Sequence, residues 1–96
     1  MKPNTPLSKY LQENHLSSLA FSHTGEFCAL ATKKEVKVLV YRVREINSID
    51  SWEFIQEMHD QTQTVSEIDW AKDDKIVAGS HDRSVFIYRR TGNNKW

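Results

Sequence analysis

Ninety-six residues at 11.2 kDa allow one small domain at most and rule out two. A hydrophobic share of 39% against 27% charged is too apolar for a disordered chain, and no apolar run approaches the roughly 18 residues that a membrane span requires. Thirteen Lys and Arg balance thirteen Asp and Glu, so no net field draws the chain toward nucleic acid or an anionic bilayer, and neither is expected as a partner.

Pro3 and Pro6 open the chain, each biasing its predecessor toward extended backbone, so no helix is expected to start there. Met1-Lys2-Pro3-Asn4 is not followed by the apolar core of a signal peptide, and a single cysteine, Cys28, cannot close an intramolecular disulfide. Both point to a reducing, cytoplasmic address. Cys28 itself lies in a run of small residues and is expected to be a buried, inert thiol.

Past the prolines the chain reads as short strands in two copies. Leu16-Ser17-Ser18-Leu19-Ala20-Phe21 matches Val65-Ser66-Glu67-Ile68-Asp69-Trp70 at an offset of 49 (65 − 16), each ending on an aromatic. Polar turns follow, Ser22 to Glu26 and Ala71 to Asp74, and then Phe27 to Thr32 against Lys75 to Ser80. A third strand runs from Val36 to Tyr41 in the first copy and from Arg83 to Tyr88 in the second, with apolar residues at successive positions, the mark of burial on both faces. Arg44 to Ser51 reads as a surface loop. Beyond it a fourth strand, Trp52 to Met58, carries Trp52, Phe54 and Met58 on one side, whereas the second copy stops at its own tryptophan, Trp96. The units are 1–14, an N-terminal segment; 15–58, the first copy; and 59–96, the second copy without most of its fourth strand.

A period near this length with four short antiparallel strands is the geometry of a β-propeller blade. His59, the strand Val65 to Trp70, and Gly79-Ser80-His81-Asp82-Arg83-Ser84-Val85-Phe86-Ile87-Tyr88 resemble the WD-repeat family. The expected fold is therefore all-β, about two blades of a seven-bladed WD-repeat propeller. The resemblance implies a structural hydrogen-bond network in which His59 and Asp82 fill two roles and Tyr88 stands in the tryptophan position, with Ala78 where a hydroxyl belongs. Ser66-Glu67-Ile68-Asp69-Trp70-Ala71, Lys75-Ile76-Val77 and Asp82-Arg83 before Phe86-Ile87-Tyr88 further resemble the WD-repeat subunit of the actin-related protein 2/3 complex. That resemblance implies a non-enzymatic scaffold supporting actin filament nucleation and branching. It would be cytoplasmic and cytoskeletal, with actin and the other subunits as partners. In that family the N-terminal segment adds a ring-closing strand, for which Leu7, Tyr10 and Leu11 are the candidate anchors here. The alternatives are a WD-repeat adaptor of another assembly and a free-standing β-domain that takes peptides by strand addition at the edge from Ser84 to Arg90.

The remaining polar residues carry no chemistry by their spacing. His15, His23, His59 and His81 form no metal-ligand pattern with the lone cysteine, and Glu26, Asp69, Asp73, Asp74 and Asp82 read as turn carboxylates with no nucleophile beside them. No catalytic residue, metal or cofactor is expected. Arg42, Arg44, Arg89 and Arg90 follow the third strand of each copy and read either as a solvated edge that discourages sheet aggregation or, as candidate partner contacts, as a basic rim facing an acidic surface. Two blades alone have two outer faces. If each leaves about six apolar side chains wet, the loss is on the order of 10–20 kcal/mol per face, and the chain is expected to be a fragment that does not fold as a monomer.

Overall fold

The computed structural model describes residues 5–61, 63–80 and 83–96. In chain order it contains α1 (Leu7–Asn14), β1 (Leu16–Phe21), β2 (Phe27–Thr32), β3 (Val38–Arg42), a 3₁₀ turn at Ile49–Ser51, β4 (Glu53–Met58), β5 (Val65–Ala71), a second 3₁₀ turn at Lys72–Asp74, β6 (Lys75–Ser80) and β7 (Val85–Tyr88). Strands β1-β2-β3-β4 form one antiparallel sheet and β5-β6-β7 another, each in sequence order. The three strands shared by the two copies appear in both, and the loop from Arg44 to Ser51 lies where the polar run placed it. The third strands start later than expected, at Val38 and Val85.

The repeat extends to an irregularity. β1 pairs with β2 through Leu16↔Thr32 and then Ser18↔Ala31, leaving Ser17 as an extra residue, and β5 pairs with β6 through Val65↔Ser80 and then Glu67↔Gly79, leaving Ser66 extra. Both sheets thus bulge at the same repeat position, which sets the facing of every later residue in each first strand. The turns correspond too. Gly25 takes φ 76° in the first, and Asp73 and Asp74 take 66° and 57° in the second, a left-handed conformation that glycine adopts freely and aspartate tolerates.

The two sheets pack face to face. The first sheet presents Phe27, Ala29, Ala31, Val38, Val40 and Met58, and the second presents Val65, Ile68, Trp70, Ile76 and Ala78, with Trp96 closing the layer. A second core lies on the other side of the first sheet, where Cys28, Leu30, Leu39, Tyr41 and Trp52 meet Leu7 and Tyr10.

Those last two residues belong to a helix, which corrects two expectations for the N-terminal segment. Pro6 does not delay helix formation. It sits at the cap position, where no intrahelical N–H is lost, and Tyr10 N donates to its carbonyl at 3.0 Å. Leu7, Tyr10 and Leu11 have the i, i+3, i+4 spacing of one helical stripe, and Leu7 to Asn14 contains no β-branched residue. The helix has no side-chain cap of its own. Asp50, from the distant 3₁₀ turn, accepts from Ser8 N at 2.8 Å and from Ser8 Oγ at 2.9 Å, satisfying one orphan donor at the positive end. The outer face of the first sheet, expected to be bare, is therefore covered.

β4 also departs from its expected pattern. Tyr41 pairs with Phe54 and Val40 with Gln56, so Ile55 is bulged out and the strand changes phase. Trp52 and Phe54 lie on the outer side and Met58 on the inner, instead of all three together.

Candidate functional site

Chemistry-bearing side chains gather at three places: the seam between the sheets, the charged end beside α1, and the open face of the second sheet.

At the seam, β1 and β5 run side by side and are joined by polar contacts. Ser17 Oγ donates to Val65 O at 2.8 Å, Ser18 Oγ accepts from Ile68 N at 3.0 Å, and Trp70 Nε1 donates to Ala20 O at 2.8 Å. His23 Nε2 lies 3.1 Å from Trp70 O. The histidine that bridges the copies is thus His23 of the first turn. His59, expected in a blade-to-blade role, is 61% exposed in its side chain and lies 3.0 Å from Glu57 instead. The hydroxyl of Tyr88 accepts from Gln61 Nε2, and burial with the nearby charge of Asp60 pushes its pKa up to about 12. Asp82 and His81 lie outside the described residues; among the described ones, Gln61, two residues from His59, meets Tyr88.

Two of the four candidate arginines are built into the seam. Arg42 and Arg90 approach the ring of Phe27 with their guanidinium carbons 4.8 and 5.0 Å from its centroid, and Arg90 also lies 5.6 Å from the ring of Trp96. Arg42 is held by Glu26 and Asn94 and Arg90 by Asp74 at 2.7 Å. Trp96 packs edge-on against Phe27 and Trp70, donates from Nε1 to Asp74 O at 2.6 Å, and engages the Gln56 amide through both its backbone groups. This cluster is a cation–π and hydrogen-bonded wedge that ties the C-terminal hairpin onto both sheets. It gives Trp96 a place in the inter-sheet core, whereas Trp52, its expected repeat partner, lies in the outer one. Arg44, paired with Glu53, and Arg89 are exposed and remain on the rim.

At the end beside α1, Lys37 is buried with Nζ 3.2 Å from Glu35 and 3.0 Å from Glu57, and Tyr10 donates its hydroxyl to Glu35. Burial opposes charge on all three, but their mutual contacts outweigh it: both carboxyls are held below the ordinary range and the Lys37 ammonium above its own. The chain Tyr10–Glu35–Lys37–Glu57–His59 fastens the helix to the sheet. Cys28, fully buried, has its thiol pushed up to about 12 by burial, as the small-residue strand implied.

The third place is the far side of the second sheet. By the repeat alignment, the residues of the first sheet that face the second, Ser18, Ala20, Ala29, Ala31, Val38 and Val40, correspond to Glu67, Asp69, Val77, Gly79, Val85 and Ile87. Val38 and Val40 are fully buried, whereas Val85 is 64% and Ile87 58% exposed. A groove of about 370 Å³ runs there, with Glu67 and Asp69 on one side and Val77 and Val85 on the other. Burial on both faces, expected of both third strands, holds only for β3. Sheets repeated radially, each presenting the equivalent face to the next, are the relation between neighbouring blades of a propeller.

No family model and no curated protein matches the sequence. Among solved structures, the chain is similar to the β-propeller domain of Cps50 (Swd1) from Myceliophteria thermophila, with a TM-score of 0.67 and 15% identity over 85% of this chain. The fold is that of a partial β-propeller. The chain spans 25% of the length of that neighbour. At this identity the likeness concerns the arrangement of strands, which agrees with the WD-like pattern read from the two copies.

Proposed function

We propose that the chain acts as a non-enzymatic scaffold element of the WD-repeat type, holding neighbours by sheet packing. The observation that supports this is the open face of the second sheet, which repeats the face by which the first sheet receives its neighbour and exposes the apolar Val85 and Ile87 on its edge strand. The polar clusters fasten parts of the chain to one another, which suits a structural role. The finer reading is a scaffold in the actin-related protein 2/3 complex, in the cytoplasm with actin and the other subunits as partners. It rests on the Ser66 to Ala71 run and its downstream pattern alone. Arg44 and Arg89 are the rim contacts in that reading, since Arg42 and Arg90 are spent on Phe27 and Trp96.

Affinity purification of the tagged chain against the purified actin-related complex lacking its WD-repeat subunit tests the finer reading. Stoichiometric retention supports it. No retention by a folded chain discards the actin-related assignment and leaves the general scaffold role.

A further inference from the structure

The two sheets differ by one strand. β3 is flanked by β2 and β4, whereas β7 has β6 on one side and, among the described residues, no strand on the other. The ladder fixes which backbone groups this leaves open. In an antiparallel pair, residues that exchange both backbone hydrogen bonds alternate with residues whose N–H and C=O point away. Ser80 N donates to Ser84 O at 3.0 Å, so the bonded pairs continue as Ala78↔Phe86 and Ile76↔Tyr88, and the backbone groups of Val85 and Ile87 point to the edge. In the first sheet Val43 N donates to Glu26 O at 2.8 Å. By the same count Cys28↔Tyr41 and Leu30↔Leu39 are the bonded pairs, and Val38, Val40 and Arg42 turn their groups to β4, opposite Met58, Gln56 and Glu53. Val38, Val40 and Arg42 are the repeat equivalents of Val85, Ile87 and Arg89. The backbone row that β4 satisfies in the first sheet is thus the row that stands open in the second.

Charge and side-chain exposure say what fits there. In the first sheet Glu53 of β4 lies across from Arg42 and pairs with Arg44. Arg89, at the position of Arg42, is exposed, and no acid lies between Arg83 and Arg90. Val85 and Ile87 are exposed on the same side of the strand. We propose that the edge of β7 receives an extended peptide segment of another protein, antiparallel to β7, with a carboxylate near its N-terminal end across from Arg89 and apolar side chains across from Ile87 and Val85. Its main chain takes up the open N–H and C=O groups as β4 does for β3, and the cross-strand side chains select the sequence. Antiparallel pairing of β7 with β7 of a second copy would instead bring the Arg89 end of each strand toward Arg83 of the other with no acid to offset them, so the charge favours an acidic partner over a second copy. The ladder is short, and the complex is accordingly weak and reversible. This edge is separate from the sheet face on which the scaffold reading rests, so each stands or falls by its own test.

Amide-resolved NMR of the 96-residue protein, titrated to about 1 mM with the capped peptide acetyl-Ser-Glu-Thr-Val-Thr-Val-Thr-amide, tests this. Saturable shifts should centre on β7, and hydrogen exchange should slow far more at the amides of Val85 and Ile87 than at those of Phe86 and Tyr88, which already bond to β6. Val85→Pro removes an outward donor at the first residue of an edge strand, where proline leaves the β6 ladder intact, and should weaken binding about fivefold or more. Arg89→Glu should weaken it about threefold to tenfold, and a peptide with lysine in place of its glutamate should bind that variant at close to the original affinity. Unchanged far-UV circular dichroism checks that each variant folds. No shift up to about 1 mM peptide, shifts centred away from β7, or binding that ignores either substitution in a folded variant would overturn the proposal. Self-association of the wild-type chain that Val85→Pro abolishes would overturn it as well, since the occupant of the edge would then be a second copy.

Discussion

Val40 and Ile87 occupy equivalent positions in equivalent strands, yet the first is wholly buried and the second is 58% exposed. The same sequence pattern has been put to two uses. The first sheet is a middle layer, with α1 on one side and the second sheet on the other. The second sheet is an outer layer with one face in the core and one free. Apolar alternation on both faces of a strand therefore encodes a capacity for two-sided burial, and a neighbouring element is needed to realise it. For the first sheet that neighbour is a helix on one side, which is why the structure has two cores rather than the one that stacked blades alone would give.

The largest test of this comparison lies where the sheets meet. Phe27 touches Trp70, Trp96, Arg42 and Arg90. Phe27→Ala should cost about 3–5 kcal/mol and leave little folded protein, as read by urea denaturation. Next is the pair of equivalent valine-like positions. Val40→Ala should cost about 2 kcal/mol, whereas Ile87→Ala in dilute solution should stay within about 0.5 kcal/mol. Equal losses would mean that the free face is covered.

The helix gives a smaller and more local effect. Tyr10→Ala removes a buried ring and the hydroxyl that Glu35 accepts from, loosening the lid over Cys28. Alkylation of Cys28 should accelerate about tenfold or more, while Ile87→Ala leaves the rate unchanged. Unaltered labelling in Tyr10→Ala would show that α1 does not seal that core.

The smallest effect is the pH dependence of the clamp around Lys37. Glu35 and Glu57 have folded values below their ordinary 4.5, so their contribution is present above that pH and is lost as pH falls through the folded values. Lys37 has a folded value above its ordinary 10.5, so its contribution is present below that pH and is lost as pH rises through the folded value. Stability should be flat between about pH 5 and pH 8 and decline on either side, the alkaline decline including Cys28, which the fold keeps protonated up to about 12 while the unfolded thiol ionises from its ordinary 9.0. Because the carboxylates are about one-third exposed, Lys37→Met should remove no more than about 1 kcal/mol at neutral pH, measured by thermal melts across pH.

Much of the fold was legible from the repeat. β1, β2 and β6 match the expected spans, and the bulges at Ser17 and Ser66 fall at equivalent places because the copies share a register. What the sequence hid depends on contacts made far along the chain. α1 is capped by Asp50, 42 residues from Ser8, and no local cap signal marks it. The phase change at Ile55 comes from pairing with β3, and single-strand periodicity carries no trace of it. His59 carries the family-like position, but Gln61 meets Tyr88, since a two-residue shift in a loop costs the backbone little. The serines that bridge the copies, Ser17 and Ser18, were visible as part of the repeat without their role, which appears only when β1 and β5 lie side by side. Arg42 and Arg90 looked like a solvent rim because the ring they share, Phe27, lies far from both in sequence and leaves no local signature.

Strand-resolved amide hydrogen exchange in dilute solution tests the inequality of the two sheets most directly. The account predicts that the paired amides of β2 and β3, buried on both faces, exchange slowest and that those of β7, exposed on one face and at the sheet edge, exchange orders of magnitude faster. Equal protection of β3 and β7 would contradict it.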